Sequence, residues 1–199
     1  MLRLSGVYGT MDLENIISRR VFMDLKNIIA QIFGIIGLVI IVYSFQCKKN
    51  KNFFLMQGTG SFMFFLNFLL IGAYAGALFN LTNLVRGLLF AKDGKKVWKL
   101  VAVVLLYTFC YIFSLQFIWG NGFMIFISTL PYITLVIMSV LMWLGNGNHI
   151  RIFQFTLMSP SWIVHNIFNF SLGGILCESF NMVSVIVYFI RNGIKLRNN

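Results

Sequence analysis

Side chains that could bind a solute or move a proton occur inside one of the most apolar stretches of the chain. The stretch WIVHNIFNFSLGGILCESFN, residues 162–181, places a histidine, a carboxylate and three amides among Ile, Phe, Leu and Val. Imidazole and carboxylate groups can hold and transfer protons, and amides can both donate and accept hydrogen bonds to a polar ligand. The groups concerned are His165, Asn166, Asn169, Glu178 and Asn181.

The composition indicates an all-α integral membrane protein. The 199 residues are 59% hydrophobic and 11% charged, whereas a soluble domain carries about 25% charged residues. The length allows roughly six to eight spans of about 20 residues each. The net charge is +11, but the basic residues lie in loops between apolar runs, where they set topology and contact lipid headgroups. The expected partner is therefore the lipid bilayer, and nucleic-acid binding is not expected.

We predict seven membrane-spanning helices from seven apolar runs. Basic residues follow spans one, three, five and seven, while the turns after spans two, four and six carry no charge. The positive-inside rule then places the N-terminus outside and the C-terminus in the cytoplasm. The predicted spans are residues 27–46, 53–73, 76–92, 97–118, 122–144, 152–170 and 172–191.

Polar positions recur between the two halves of the chain at an offset of 98 residues. The offset crosses an even number of spans, so the two copies have the same orientation, as in transporters built from parallel repeats. In the third span of each copy, two polar residues three positions apart share a helix face. The matched pairs are Ser61 with Ser159, Asn67 with His165, Gly76 with Gly174, Asn80 with Glu178, Asn83 with Asn181, and Arg86 with Ser184.

This repeat predicts a 3+1+3 organisation. Residues 27–92 and 122–192 form two three-helix repeats, and residues 93–121 contain the linker helix. Residues 1–26 form an N-terminal extension, either amphipathic or resulting from a misassigned start, because MDLENII is nearly repeated as MDLKNII. Residues 193–199 form a basic cytoplasmic tail.

Several of these motifs closely resemble those of the YgjV-type bacterial inner-membrane protein family. They are WIVHN at 162–166 with SLGG at 171–174 and Glu178, together with AQxxG at 30–34, LLIGAY at 69–74 and NLVR at 83–86. The resemblance covers about residues 27 to 192 and implies a multi-pass protein of the bacterial inner membrane. Asn67 stands where the family tends to have a histidine.

The chain is more distantly similar to the SWEET and PQ-loop transporters, which have a 3+1+3 plan and an outside N-terminus. In that group, a Trp in the second span and an Asn sixteen residues later line the substrate pocket. Asn67 and Asn83 are sixteen apart here, as are His165 and Asn181. The likeness implies that these four face a central cavity, although no stacking Trp and no proline hinge are present at the corresponding positions.

The predicted solute-binding residues are Asn67, Asn80, Asn83, His165, Glu178 and Asn181. For each amide the alternative is a hydrogen bond between helices, and for His165 a neutral, hydrogen-bonded residue within the bundle. Glu178 could be neutral if it is buried alone, could pair with Arg86 or His165, or could reach the outer headgroups. A pair with His165 could couple transport to protons. Arg86 could instead extend to the inner membrane interface.

These residues favour a carrier or binding protein for a small polar solute, with its cavity between the repeats. The alternative is a non-transporting membrane scaffold that uses the same polar residues to hold helices together. Enzyme motifs are absent, and no cofactor is expected. The three cysteines are far apart without CxxC spacing, which argues against a metal site or disulfide framework. A homo-oligomer stays open.

Overall fold

The computed structural model describes the backbone of residues 13–44, 47, 49–91, 96–145 and 147–192, with side chains from residue 24 onward except those of residues 50 and 192. Within these ranges the chain is almost entirely helical and has no β-strand, which confirms the all-α prediction. The elements are α1 (Leu13–Ser44), α2 (Asn50–Ile71), α3 (Tyr74–Ala91), α4 (Val97–Ile118), α5 (Gly122–Leu144), α6 (Gly147–Phe153), a π-helical segment (Gln154–Met158), α7 (Ser159–Phe168) and α8 (Leu172–Asn192).

Five helices among the described residues are long and apolar enough to cross a bilayer: α1, α2, α4, α5 and α8. The third helix, α3, has 18 residues, and Asn80, Asn83 and Arg86 lower its mean hydropathy. The predicted sixth span is divided among α6, the π segment and α7, so that each piece is too short by itself. The structure therefore confirms a helical protein with five candidate spans out of the seven predicted.

The first helix is longer than the first apolar run. It begins at Leu13 and continues for 32 residues, because its charged first part contains no glycine or proline that would end a helix. The apolar candidate span within it starts at Asp24. Residues 13–26 of the predicted extension thus continue α1, while residues 1–12 and the predicted tail, 193–199, lie outside the described ranges.

The π segment precedes a proline in the predicted sixth span. Proline has no N–H for the carbonyl four residues earlier, and its ring clashes with that carbonyl. The N–H of Ser159 bonds the carbonyl of Gln154, five residues back, so the hydrogen-bond ladder has already shifted where Pro160 enters. The irregularity before Pro160 is therefore a one-residue insertion into the helix, and such insertions are frequent at functional sites.

This inserted residue changes the offset between the two halves. Gln154 follows Gln57 by 97 residues, whereas Ser159 follows Ser61 by 98. Gln57 and Ser61 are four residues apart, which is one α-helical turn. Gln154 and Ser159 are five residues apart, but the wider π turn also places them one turn apart, and Gln154 Nε2 donates a hydrogen bond of 2.8 Å to Ser159 Oγ. The offset of 98 thus applies from Ser159 onward.

The turns between α2 and α3 and between α7 and α8 have the same backbone structure. Gly72 and Phe170, 98 residues apart, both have positive φ, 82° and 55°. Each turn has three backbone hydrogen bonds at matching positions. They are Gly72 to Leu69, Ala73 to Phe68 and Ala77 to Ala73 in the first turn, and Phe170 to Ile167, Ser171 to Asn166 and Ile175 to Ser171 in the second.

The helices form a closed ring. Each of α1 to α5 contacts the next, α5 contacts α6, the π segment and α7, and α8 contacts both α7 and α1. Large apolar side chains cover the outside, among them Phe109 at 65% exposure and Leu105 at 63%. A surface of this kind requires an apolar solvent, since monomeric soluble proteins rarely expose large contiguous apolar patches. This supports the prediction of an integral membrane protein.

Candidate functional site

The ring encloses a polar cavity. About 100 Å³ of it is open to the centres of water molecules, whereas one water needs about 10–15 Å³ by this measure. Side chains of every element except α4 and α6 line it, so α4 packs outside the cavity against α3 and α5. The polar lining residues are Gln57, Ser61, Asn80, Asn83, Arg86, Gln154, Asn166, Glu178 and Asn181.

A carboxylate forms one wall of the cavity. The Oε2 atom of Glu178 accepts hydrogen bonds from Ser159 Oγ at 2.7 Å, and from Gln154 Nε2 and Asn181 Nδ2, both at 3.2 Å. These donors come from α7, the π segment and α8, and they fix the carboxylate in place. The other oxygen, Oε1, accepts no hydrogen bond from the described residues and is left for the cavity.

Arg86 of α3 contributes a positive charge to the same cavity. Its Nη1 donates to Ser139 Oγ at 3.3 Å, and it lines the cavity instead of extending to the membrane interface. One turn away, Asn83 is held by Tyr107 of α4, whose hydroxyl donates to Asn83 Oδ1. In the described part of the chain no ion pair joins Arg86 to Glu178.

Two amide oxygens at the cavity have no partner. Oδ1 of Asn166 and Oδ1 of Asn181 are buried and accept no hydrogen bond from the described residues. Leaving a buried acceptor unsatisfied costs about 1–3 kcal/mol. Neither oxygen is open to water as placed, so a rotation of the Asn166 or Asn181 side chain toward the cavity is needed before water or a donating solute can remove this cost. Together with Oε1 of Glu178, these atoms place three unused acceptors on the side formed by α7 and α8.

Asn67 and His165 are not among the cavity-lining residues. The side chain of Asn67 joins three elements: Nδ2 donates to the Ala30 carbonyl at 2.7 Å, and Oδ1 accepts from Ser171 Oγ at 2.7 Å. His165 lies between the rings of Phe68 and Trp162, with centroid distances of 5.5 and 5.4 Å.

The predicted residues therefore fall into two groups. Asn80, Asn83, Glu178 and Asn181 are brought together around the cavity. Asn67 and His165 instead lie at the starts of α8 and α3. Asn67 bonds Ser171, which directly precedes α8, and His165 Cε1 is the atom nearest to a Cβ built on Gly76 of α3. Among the described residues, Glu178 hydrogen-bonds neither His165 nor Arg86.

The ring closes tightly where α1 meets α8. Gln31 of α1 donates to the Phe170 carbonyl at 2.9 Å and accepts from the Leu172 N–H at 3.0 Å. Gly34 and Gly173 bring the two backbones together, because a Cβ on Gly173 would lie 2.5 Å from the Gly34 carbonyl carbon. A Cβ on Gly34 would lie 3.3 Å from the Cα of Gly173, so Gly173 is the position that excludes a side chain.

Five polar lining residues are not among the predicted solute-binding residues: Gln57, Ser61, Arg86, Gln154 and Asn166. Gln57 and Gln154 share the motif Gln-x-Thr at an offset of 97, which a search at a constant offset of 98 does not detect. Asn166 was noted as polar, but its matched position, Phe68, is apolar. Both Phe68 and Asn166 line the cavity, one residue after the matched pair Asn67 and His165.

Comparison with known proteins gives one match. A family model described as bacterial inner membrane protein, Imp-YgjV, matches residues 28–195. No curated protein and no solved structure matches the chain.

Proposed function

The chain belongs to the YgjV family of bacterial inner membrane proteins, and we propose that it binds a small polar solute in the central cavity and carries it across the inner membrane. The observation that supports this most strongly is the presence of two ionisable side chains, Arg86 and Glu178, in a cavity within an apolar helix ring, with no ion pair between them among the described residues. A charge in a spanning helix costs about 2.5–3.5 kcal/mol on insertion scales, so such residues are retained where they function. We assign solute binding to Asn80, Asn83, Glu178 and Asn181.

The proposed carrier has seven spans in a 3+1+3 arrangement. Its sixth span consists of α6, the π segment and α7, and α3 is its third span, about 27 Å long at 1.5 Å per residue. Two observations favour two repeats around one linker: the identical turns at Gly72 and Phe170, and the position of α4 outside the cavity. Of the proton-coupling candidates, Glu178 lines the cavity and His165 does not, so coupling would use Glu178.

We further propose that the C-terminus is cytoplasmic and the N-terminus outside. Lys49, Lys96, Arg151 and Arg191 lie at one end of the helices, while the turns at the other end, residues 72–73, 119–121 and 169–171, have no charged residue. Fluorescent protein fused after residue 199 is expected to be bright, and periplasmic alkaline phosphatase fused there to be inactive. The same reporters inserted between Gly120 and Asn121 are expected to give the reverse result. Active phosphatase at the C-terminus would invert the topology.

Solute binding can be tested by the melting temperature of the purified protein in detergent. We expect one class among sugars, amino acids, organic acids and nucleosides to raise the Tm with concentration, by about 2.7 kcal/mol of stability at one hundred times its Kd. Asn181→Ala is expected to lose this response, because it removes an amide from the cavity wall. Ser179→Ala is the matched control, since Ser179 is exposed on the same helix and bonds its own backbone at Ile175.

Transport is then tested by uptake of the stabilising solute into vesicles containing the protein. Uptake that Asn181→Ala abolishes and Ser179→Ala preserves would support a carrier. If no solute shifts the Tm of the wild-type protein and no vesicle uptake occurs, the proposal fails and the scaffold alternative is favoured.

A further inference from the structure

The two repeats carry different charges at the cavity. In α3 and α8 the matched amides Asn83 and Asn181 both line it. Three residues before these amides, the second repeat has Glu178 where the first has Asn80. Three residues after them, the first repeat has Arg86 where the second has Ser184. The cavity is thus symmetric in its amides and asymmetric in its charges, with one cationic and one anionic wall.

The anionic wall is suited to a group that donates several hydrogen bonds. Oε1 of Glu178 and Oδ1 of Asn166 and Asn181 are all acceptors without a donor among the described residues. Asn166 is 1% exposed, so bulk solvent does not reach it. A protonated amine has three or fewer N–H donors and no acceptor, and it therefore complements this set of atoms.

The cationic wall is suited to a carboxylate. A guanidinium carries five N–H donors in a fixed fork, and Arg86 donates one hydrogen bond, to Ser139, within the described chain. Carboxylates accept two parallel hydrogen bonds from such a fork, which makes the contact both stronger and more directional than one to a neutral oxygen.

We propose that the solute is a small zwitterion, with its amine at Glu178, Asn166 and Asn181 and its carboxylate at Arg86. This rests on the proposed function of the cavity as a solute site. Among the described residues no ion pair joins Arg86 to Glu178, and a buried charge without a partner is unfavourable. A zwitterion compensates both charges at once, whereas a simple anion or cation leaves one of them uncompensated. The space open to water centres, about 100 Å³, holds roughly seven to ten waters by the measure given above, which suits a small solute.

The first test compares solutes of similar size and different charge on the intact wild-type protein. Glycine, β-alanine and γ-aminobutyrate are the zwitterions, with propionate, propylamine and propanol as anionic, cationic and neutral references. At least one zwitterion is expected to bind about tenfold or more tightly than each reference, as judged by concentration-dependent Tm, since hydrogen bonds to charged groups discriminate by at least this factor. The chain length that binds best reports the separation of the two charged groups.

The second test uses the variants Arg86→Gln and Glu178→Gln, which remove one charge each and keep similar shape. Arg86→Gln is expected to reduce the preference for the zwitterion over propylamine from about tenfold to about one. Glu178→Gln is expected to reduce the preference over propionate in the same way. A residue with only a structural role would weaken all solutes together, and Ser179→Ala should leave every ratio unchanged.

The two proposals fail in different ways. If the wild-type protein responds to sugars, simple anions or simple cations and not to zwitterions, the zwitterion assignment is overturned while the solute site stands. If zwitterions bind but neither Gln variant changes the ratios, Arg86 and Glu178 are not the binding groups, and the assignment is also overturned. If nothing in either panel binds or is taken up, both proposals are overturned; the wild-type panel decides this even where a variant fails to fold.

Discussion

Replacing Gly173 with alanine is expected to destabilise the protein by about 1–3 kcal/mol, the usual cost of adding a methyl group to a packed interface. The new Cβ would lie 2.5 Å from the carbonyl carbon of Gly34, 2.7 Å from its Cα and 2.8 Å from its carbonyl oxygen. All three are backbone atoms of α1, so no side-chain rotation can make room, and α1 and α8 must separate. For a chain of this length we expect the Tm in detergent to fall by roughly 3–10 °C.

A second glycine provides the matched control. Gly122 is at the start of α5, and a Cβ there meets no heavy atom within 4 Å. Gly122→Ala is therefore expected to leave the Tm unchanged or raise it slightly, because alanine favours the helix by up to about 1 kcal/mol. Equal Tm values for Gly173→Ala and Gly122→Ala would show that α1 and α8 do not meet as described.

A third glycine separates backbone contact from side-chain contact. A Cβ on Gly174 would lie 2.6 Å from the amide of Asn166, a side chain that can rotate. Gly174→Ala is expected to cost less stability than Gly173→Ala, yet to displace a cavity-lining amide. Gly173→Ala thus tests the contact between α1 and α8, and Gly174→Ala tests the position of the Asn166 amide in the cavity wall.

The sequence predicted the helical membrane class because apolar runs report burial in lipid directly. It predicted less well where helix structure does not follow hydropathy. The charged residues at positions 19, 20, 24 and 26 come before the first apolar run and set its N-terminal boundary. A helix tolerates them, however, and α1 already begins at Leu13. In the sixth predicted span the apolar run is continuous, whereas Pro160 and the π segment divide the helix.

The sequence also predicted part of the candidate site. Spacing by three residues identifies a common face within one helix, and this correctly grouped Asn80 with Asn83 and Glu178 with Asn181 around one cavity. Spacing does not fix how a helix is rotated in the bundle. Near the ends of α2 and α7 it is Phe68 and Asn166 that line the cavity, each about 100° of helical rotation beyond Asn67 and His165.

Asn67→Ala is expected to lower stability by about 2 kcal/mol without impairing solute binding. It removes the donor to the Ala30 carbonyl and the acceptor for Ser171 Oγ, both in a site with no solvent exposure. Each buried group left without a partner costs about 1–3 kcal/mol in proteins, and hydrogen bonds between membrane helices average about 0.6 kcal/mol. We expect the Tm to fall by roughly 4–8 °C, with an unchanged further rise when solute is added.

Asn80→Ala is the matched variant and is expected to show the opposite behaviour. Among the described residues the Nδ2 of Asn80 bonds only the Gly76 carbonyl of its own helix, at 2.9 Å, and Asn80 lines the cavity. Alanine strengthens the helix by up to about 0.7 kcal/mol, which offsets the lost bond, so the Tm should change little while the solute response weakens. If Asn67→Ala abolishes the solute response at unchanged Tm, Asn67 binds the solute after all. If Asn80→Ala melts early with a full response, its amide holds helices together instead. The pair thus decides which of the two polar residues belongs to the proposed solute site and which closes the ring around it.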